Sequence, residues 1–365
     1  MSSTYAVDAS SVIHPAATGI GHYTRSLVMA LDEIAGSIAS APRIALLYRS
    51  GFWRQRGRIP TGPQLDRQIW HKTLIPRAPA YAAVLCPEFR MPGWPGVPRV
   101  GVIHDIHPVL GLNNQDEAQR LRSVADLRRY VAHAQRLIFV SEHTRSEFLA
   151  HFDFPGERGA VIHHGVGRQF RLHDVDEIAS IRARLGLQRP FCLWAGSARP
   201  SKNLDHLLPA FARTAAARGH ELVLAGHVSE EQRGALSRII AGCGLDGRTR
   251  MLGYVAEADI PPLFAAADAY LFPSLHEGFG MPILEAMASG TPVLTSNTTA
   301  CPEAAAGHAI LVDPTSIDDI ARGIAEALQM DRNRIEAARD HAARQTWTEC
   351  ARRTLQVLQD AAQSG

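Results

Sequence analysis

Two glutamates, Glu277 and Glu285, are separated by seven residues in a segment whose composition suits a ligand carrying both phosphates and hydroxyls. Between them lie Gly278-Phe279-Gly280 and then Met281-Pro282, where an apolar helical run begins. Proline suits the first turn of a helix, so Glu277 is predicted in the preceding loop and Glu285 about one turn inside the helix. Backbone N–H groups at a helix start form an anion site, and carboxylates accept hydrogen bonds from hydroxyls. The spacing alone also fits an ordinary loop with two solvated glutamates.

A second segment, Gly196 to Asn203, carries two cations at the predicted start of a helix. Arg199 and Lys202 flank this start, and Ser201 is predicted to cap it. Two cations at a helix N-terminus repel each other and oppose the helix dipole, and a bound diphosphate would remove the conflict. Removal of Lys202 is therefore expected to relieve repulsion. The chain has only one other lysine, Lys72, so the choice of lysine here indicates a specific role.

The string EGFGMPILEAMASGTPV at residues 277–293 resembles the signature of the retaining glycosyltransferases of family 4, also called glycosyl transferases group 1. The resemblance implies the α/β fold known as GT-B, with two Rossmann-like domains facing across a cleft and a C-terminal helix that returns to the N-terminal domain. Residues 1–168, together with the terminal helix 347–365, would form the acceptor domain. Residues 169–189 would be a linker, and residues 190–346 the nucleotide-sugar-binding domain.

Alternating apolar and amphipathic stretches predict parallel sheets with helices on both faces. The predicted strands cover residues 4–8, 43–48, 82–86, 100–104, 137–140, 161–166, 191–195, 221–225, 249–252, 269–272, 291–294 and 309–312. The predicted helices cover residues 23–34, 115–134, 142–152, 230–242, 258–267, 317–329, 332–345 and 347–362. In such folds ligands bind at the carboxyl ends of the strands.

The predicted first domain contributes a glycine pair and a histidine. Gly19 and Gly21 precede an amphipathic helix, but Thr24 replaces the third glycine of a dinucleotide-binding motif and the strand ends ten residues earlier, which disfavours an NAD site. His104 ends a predicted strand, and its spacing to His107 is a weak metal pattern. In the family the matching glycine loop faces the cleft and the matching histidine reaches the donor sugar. A structural histidine is the alternative.

The resemblance implies a role for each matching residue. Glu277 would accept hydrogen bonds from sugar hydroxyls, Glu285 would hold the ribose, and Arg199 with Lys202 would bind the diphosphate. His104 would orient the sugar. The remaining donor-binding residues are expected to be Gly19, Gly21, Gly226, Tyr254, Gly278, Phe279, Gly280 and Met281. No metal or other cofactor is expected, since cations of the chain neutralise the leaving group. Front-face attack is favoured over a covalent intermediate, because Glu285 is committed to the ribose.

The segments TGIGHYTRSL and VIHDIHP resemble a bacterial branch of mannosyl- and rhamnosyltransferases of surface polysaccharide assembly. We therefore expect transfer of a hexose, with mannose from GDP-mannose as the first candidate, to a saccharide or undecaprenyl-linked acceptor in O-antigen or other polysaccharide assembly. The alternatives are a UDP- or dTDP-sugar donor, a sucrose- or trehalose-type synthase, and a non-catalytic sugar-binding homologue.

Composition limits the other partners. The 365 residues carry a net charge of +2, with 46% hydrophobic and 20% charged residues, as in globular proteins of two domains. Five widely spaced cysteines predict neither a disulfide framework nor a zinc site. Without an apolar spanning run or a secretion signal, the expected location is the cytoplasm, and no nucleic-acid partner is expected.

Basic and aromatic residues alternate between Arg43 and Arg77. This pattern suits a membrane surface or a lipid pyrophosphate and would give a peripheral position at the inner face of the membrane, and a solvated loop is equally compatible with it. The residues concerned are Arg49, Phe52, Trp53, Arg54, Arg56, Arg58, Arg67, Trp70 and Lys72.

Overall fold

The structure, a computed structural model, describes residues 3–13, 19–37, 42–49, 54–55, 57–70, 80–91, 94–112, 116–214 and 219–364. The chain folds into two compact units. The first comprises Met1–Gly165 and Thr346–Gly365, and the second comprises Val166–Gln345. Residues 169–189, which we expected to form a linker, lie inside the second unit and include a helix.

Within the described residues of the first unit, seven parallel strands form one sheet. They are β1 (Thr4–Asp8), β2 (Arg43–Arg49), β3 (Leu65–Trp70), β4 (Ala83–Cys86), β5 (Arg99–Ile103), β6 (Arg136–Phe139) and β7 (Gly159–Val161). Their order across the sheet is β3-β2-β1-β4-β5-β6-β7. The chain therefore builds outward from β1 to β3 and then returns to the other side of β1. The strand order reverses between β1 and β4, which is where ligands bind in sheets of this kind.

Four of the helices in the first unit come before Gly165 within the described residues: α1 (Gly19–Gly36), α2 (His107–Leu110), α3 (Glu117–His133) and α4 (Glu142–Leu149). Tyr130 of α3 is fully buried, and its hydroxyl enters the sheet between β4 and β5. The hydroxyl accepts a hydrogen bond from Val102 N at 2.6 Å and donates one to Cys86 O at 2.5 Å. A side chain thus replaces one rung of the ladder, and the two strands part just before their carboxyl ends.

In the second unit, the described residues give a sheet of six parallel strands. They are β8 (Phe191–Ala195), β9 (Glu221–Ala225), β10 (Thr249–Gly253), β11 (Ala269–Phe272), β12 (Val293–Ser296) and β13 (Ile310–Val312). Their order is β10-β9-β8-β11-β12-β13, so the strand order reverses between β8 and β11. All residues of β9 and β11 are buried, in agreement with helices on both faces.

Helices cover this second sheet with apolar faces. They are α5 (Val175–Leu185), α6 (Leu204–Arg213), α7 (Glu230–Gly242), α8 (Ile260–Ala265), α9 (Met281–Ala288), α10 (Cys301–Ala305), α11 (Ile317–Ala327) and α12 (Arg332–Arg344). Leu207, Leu208 and Phe211 of α6 meet Ile320 and Ile324 of α11 in one buried cluster. Burial of such side chains contributes about 1.5–3 kcal/mol each, which makes this cluster a main source of stability.

The last helix, α13 (Trp347–Gln363), belongs to the first unit although it follows the second in sequence. The Thr346 side chain accepts a hydrogen bond from Glu349 N at 3.1 Å and so caps the helix. Helix α13 packs against α1, and the Trp347 ring lies 5.7 Å from that of Tyr23. The expected return of the terminal helix to the N-terminal domain is confirmed.

Most predicted elements are present, and the differences have local causes. Helix α1 begins at Gly19 instead of Tyr23, so the glycine pair lies in its first turn and not in a loop before it. Strand β3 was not predicted because it is a polar edge strand, with Asp66, Arg67 and Gln68 at its centre. Strand β12 begins after Pro292, which lacks the N–H needed for a ladder bond.

No helix within the described ranges has the length and apolar character needed to cross a bilayer. The proposed membrane-facing segment is described only in part. Arg49 ends β2, and Arg67 lies in β3. Phe52, Trp53, Arg56, Lys72 and the side chain of Trp70 lie outside the described residues.

Glycines end three neighbouring strands of the second sheet. Gly196 follows β8, Gly226 follows β9, and Gly253 ends β10. Gly226 N donates to Gly253 O at 2.7 Å, and Gly196 N donates to Ala225 O at 2.9 Å. Gly226 has φ +127°, and a Cβ there would lie 1.8 Å from Gly196 O. Backbones approach each other here more closely than any side chain permits.

We expect Gly226→Ala to lower the free energy of unfolding, by about 1–3 kcal/mol for the strained φ alone and by more for the clash with Gly196 O. Gly234→Ala is the control, because Gly234 lies in helix α7 with open space where the added methyl group would stand. That change should stabilise by about 0.5–1 kcal/mol. Thermal midpoints by circular dichroism measure both, and equal midpoints for the two variants would contradict the close approach.

Candidate functional site

Two loops meet where the strand order of the second sheet reverses. One follows β8 and runs from Gly196 to Asn203, and the other follows β11 and runs from Pro273 to Gly280. Leu275 N donates to Ser201 O at 2.7 Å, and Ser274 Oγ lies 2.8 Å from the same carbonyl. The loops that carry the predicted cations and the predicted carboxylate are therefore hydrogen-bonded to each other.

Asn203 anchors both loops. It is buried and has φ +60°, a left-handed conformation that asparagine tolerates better than most residues. Its Nδ2 donates to Pro273 O at 2.9 Å and to Pro314 O at 2.7 Å. The predicted cap at Ser201 is wrong: Asn203 occupies the N-cap position of α6, and Pro200–Lys202 form a 3-10 turn before it. The sequence signal for this role was an asparagine between a turn and a helix.

Lys202 and Glu277 form an ion pair between Nζ and Oε1. The two side chains are 20% and 13% exposed, so the pair is only partly screened by solvent. Ser274 Oγ lies 2.5 Å from the same carboxylate oxygen, and the Lys202 ammonium lies 4.9 Å from the centre of the Phe272 ring. Glu277 thus neutralises the charge of Lys202, which we expected from the sequence to repel Arg199.

Arg199 remains an exposed cation beside this pair. It stands at the N-cap position of the 3-10 turn Pro200–Lys202. Within the described part of the chain, no carboxylate lies within ion-pair distance of its guanidinium. An exposed guanidinium with a fixed backbone position can bind an oxyanion in bidentate geometry.

Helix α9 begins at the second loop without a side-chain cap. Gly280 is its N-cap residue with φ +100°, and a Cβ there would lie 2.9 Å from Ile283 Cδ1. Phe279 is buried, and Met281 is the first residue of α9. Glu285 lies one turn further along and is partly buried, and this burial raises its pKa to about 7. The predicted loop position of Glu277 and helical position of Glu285 are confirmed.

Gly226 and Tyr254 lie at the carboxyl ends of the next strands, β9 and β10. Tyr254 is 77% exposed, which is unusual for a large aromatic side chain. The second unit therefore carries most of the predicted donor residues on loops at one edge of one sheet. The others, His104, Gly19 and Gly21, belong to the first unit.

His104 follows β5 in the first unit, and burial lowers its pKa to about 4. The nearby Asp105 and a hydrogen bond to the Pro87 carbonyl oppose this shift. The imidazole is thus neutral at physiological pH, and its Nε2 has no hydrogen-bond partner among the described residues. The Tyr23 ring packs edge-on at 4.8 Å. Sequence reasoning missed Tyr23, whose only signal was its place after the glycine pair.

Asp174 and Asp176, which imitate a metal-binding Asp-x-Asp motif, have a structural explanation. Asp174 is the N-cap residue of α5, and its side chain accepts a hydrogen bond from Glu177 N at 2.8 Å. Glu177 completes a capping box by accepting from Asp174 N at 3.1 Å. Both aspartates are exposed, as solvated residues at a helix start are.

Comparison with known sequence families agrees with this arrangement. Residues 177–345 match the family described as Glycosyl transferases group 1, and residues 42–170 match Glycosyltransferase Family 4. The chain belongs to the family 4, group 1 glycosyltransferases. The resemblance carried by the string at 277–293 is confirmed.

The sequence of this family member is similar to bacterial mannosyltransferases. It is 32% identical over 228 residues to O-antigen chain mannosyltransferase B of Escherichia coli, covering 61% of this chain and 60% of that protein. It is 29% identical over 240 residues to the serotype-specific mannosyltransferase WbdA of Escherichia coli, covering 63% of this chain and 29% of that protein. The chain thus spans less than two thirds of each of these relatives.

Solved structures establish the fold of this family member. Sucrose-phosphate synthase from Thermosynechococcus elongatus superposes with a TM-score of 0.78 at 19% identity, over 100% of both chains. HepE from Anabaena, in complex with UDP and glucose, gives a TM-score of 0.71 at 18% identity, over 99% of this chain and 100% of that chain. The expected α/β GT-B class, with two Rossmann-like domains, is confirmed.

Removal of either partner of the Lys202–Glu277 pair should destabilise the second unit. Lys202→Met leaves a mostly buried carboxylate without its cation, which should cost about 1–3 kcal/mol. This sign is opposite to the expectation from repulsion by Arg199. The double variant Lys202→Met/Glu277→Gln should lose less than the sum of the single variants. Thermal midpoints in a double-mutant cycle measure the coupling.

The control for this cycle is the exposed pair of Arg213 and Asp318, whose side chains are 55% and 87% exposed. Arg213→Ala should change stability by no more than about 0.5 kcal/mol. An additive Lys202–Glu277 cycle would show that the pair does not couple the two loops.

The raised pKa of Glu285 predicts a pH dependence of stability. Between its usual value near 4.5 and about 7, the folded chain keeps a proton that the unfolded chain has released. The contribution of Glu285 to the free energy of unfolding should therefore be present below pH 4.5 and fall as pH rises to about 7. Glu285→Gln should remove this part of the slope in thermal midpoints between pH 5 and 8. An unchanged slope would mean that Glu285 titrates elsewhere.

Proposed function

We propose that this family member is a metal-independent, retaining hexosyltransferase that uses a nucleoside diphosphate sugar. The observation that carries the proposal is the Lys202–Glu277 ion pair at the reversal point of the second sheet. It places a cation and a hydroxyl acceptor side by side, beside the exposed Arg199 and the glycine-capped start of α9. A diphosphate sugar needs both kinds of group within a few ångströms.

In this proposal the diphosphate competes with Glu277 for Lys202. Binding of the diphosphate by Arg199 and Lys202 frees Glu277 to accept hydrogen bonds from sugar hydroxyls. The bond between the anomeric carbon and the phosphate oxygen breaks as charge develops on the leaving diphosphate, and the two cations stabilise that charge. The acceptor oxygen attacks the same face, and its proton passes to the departing phosphate oxygen. Because the acceptor enters on the face that the diphosphate leaves, the configuration is retained without a covalent bond to a carboxylate.

The remaining residues hold the donor. Glu285 accepts hydrogen bonds from the ribose hydroxyls. Because its pKa is raised to about 7, part of it is protonated near neutral pH, and hydrogen bonds from the ribose would favour the ionised form. Gly226 and Tyr254 lie beside the base. Neutral His104 supplies Nε2 as an acceptor for a sugar hydroxyl, a role that a charged imidazolium could not fill. Arg199 and Lys202 take the place that a divalent cation has in metal-dependent transferases.

We assign mannose from GDP-mannose as the first donor to test, with a saccharide or lipid-linked acceptor in bacterial polysaccharide or O-antigen assembly on the cytoplasmic side of the membrane. The names of the two Escherichia coli mannosyltransferases support this choice. UDP-glucose is the second donor to test, because HepE of the same fold was solved with UDP and glucose.

Variants of the two glutamates should separate their roles. Glu285→Gln should weaken binding of the product nucleoside diphosphate, because the ribose is present in donor and product alike. Glu277→Gln should keep that affinity, and even raise it by freeing Lys202, while turnover falls. Loss of one charge-assisted hydrogen bond corresponds to about 1.5–3 kcal/mol. Calorimetry with GDP and UDP, alongside turnover of GDP-mannose and UDP-glucose, measures these effects. Lost nucleotide affinity in Glu277→Gln with intact affinity in Glu285→Gln would reverse the assignment.

A further inference from the structure

A surface depression in the second unit lies apart in sequence from the residues described above. Its walls are the segment after Val166, helix α5 and the start of helix α8, and its volume is about 280 Å³. None of its lining residues belongs to the loops that carry Lys202 and Glu277. Its position is fixed from within, because Phe170 is buried and its ring lies 5.8 Å from that of Phe264 in α8.

The charges of this depression are already balanced. Arg171 makes a two-point contact with Glu177, with Nη2–Oε1 at 2.8 Å and Nη1–Oε2 at 3.2 Å. Arg184 donates to Asp259 Oδ1 at 2.6 Å. An anionic ligand would have to displace or face these carboxylates, and a cation would face both guanidiniums. The electrostatics therefore favour a neutral ligand that hydrogen-bonds to planar, already oriented groups.

One polar side chain in the depression is incompletely satisfied. The side chain of His173 is 7% exposed, and its Nδ1 lies 3.1 Å from Glu177 Oε2. Neither Nδ1 nor Nε2 has a hydrogen-bond partner among the described residues. Buried polar atoms normally have a partner, so this imidazole keeps capacity to bond a ligand hydroxyl.

The opposite wall is apolar. Pro261, Pro262 and Ala258 line it, and the neighbouring Leu172 and Val175 are 53% and 81% exposed. The combination of pyrrolidine rings with amide, guanidinium, carboxylate and hydroxyl groups matches the two sides of a pyranose, which has an apolar C–H face and a rim of hydroxyls. The polar row is completed by Gln169 and Ser180.

We infer that this depression is a second saccharide-binding site, which holds a neutral segment of the acceptor or product glycan outside the reaction centre. The inference rests on the proposed function for its choice of ligand class. Two linked contacts on one glycan raise its effective concentration at the transfer site, so the site would favour long acceptors and successive additions over release.

A blocking variant tests the site without touching its ion pairs. Ser180→Phe places a ring in the depression, whereas Ala183→Phe places the same ring on an exposed position of the same helix that does not line it. We expect binding of mannotetraose or maltotetraose to the wild-type chain by saturation-transfer NMR and calorimetry. Ser180→Phe should weaken it at least tenfold, and Ala183→Phe should leave it unchanged. His173→Ala should weaken it several-fold.

Three results would overturn the inference: no binding of either tetrasaccharide to the wild type, equal binding in the two phenylalanine variants, or binding of inorganic phosphate that Ser180→Phe abolishes. Turnover of a monosaccharide acceptor and affinity for GDP and UDP should be the same in wild type and Ser180→Phe. If the wild type has neither nucleotide affinity nor turnover, the proposed transferase function is wrong. Tetrasaccharide binding tests the second site independently of nucleotide affinity and turnover.

Discussion

The ion pair of Lys202 and Glu277 is the interaction on which the second unit's binding edge depends. It joins two loops that are 75 residues apart in sequence and that follow the two strands between which the strand order reverses. Neither charge would be stable alone at 13–20% exposure, so each loop fixes the position of the other. In the proposed function, the same two groups that hold the loops together separate to bind the donor.

At several positions around this pair, the backbone lies very close to neighbouring atoms. Gly226 and Gly280 have positive φ, and a methyl group at either would meet a neighbouring atom at less than 3 Å. Asn203 adopts the left-handed region to tie together three loops. Glycine adopts these φ values without steric cost, whereas another residue there would cost about 1–3 kcal/mol. Gly226, Gly280 and Asn203 all lie at the edge of the sheet where ligands bind in folds of this class.

The sequence predicted the second unit more accurately than the first. Strands such as Phe191–Ala195 and Ala269–Phe272 are short, apolar and bounded by turn residues, and so their limits were predicted correctly. The edge strand Leu65–Trp70 carries its charges in the middle and has no such pattern. Residue types and spacing identified Glu277, Glu285, Arg199 and Lys202 as a set, but the pairing of Lys202 with Glu277 depends on tertiary contact. The residues near Gly19 have weak helix propensity, so the sequence predicted a loop there. In the structure these residues form the first turn of α1, because packing outweighs the weak propensity.

The position of α13 has a consequence for biosynthesis. Tyr23, Leu27 and Leu31 of α1 are buried, and α13 is the helix that packs against α1. During translation α13 emerges after α1 and after the whole second unit. Until α13 has emerged, the apolar residues of α1 that it covers stay exposed, as apolar surface does in partly synthesised chains. The first unit can complete its fold only after α13 has been synthesised.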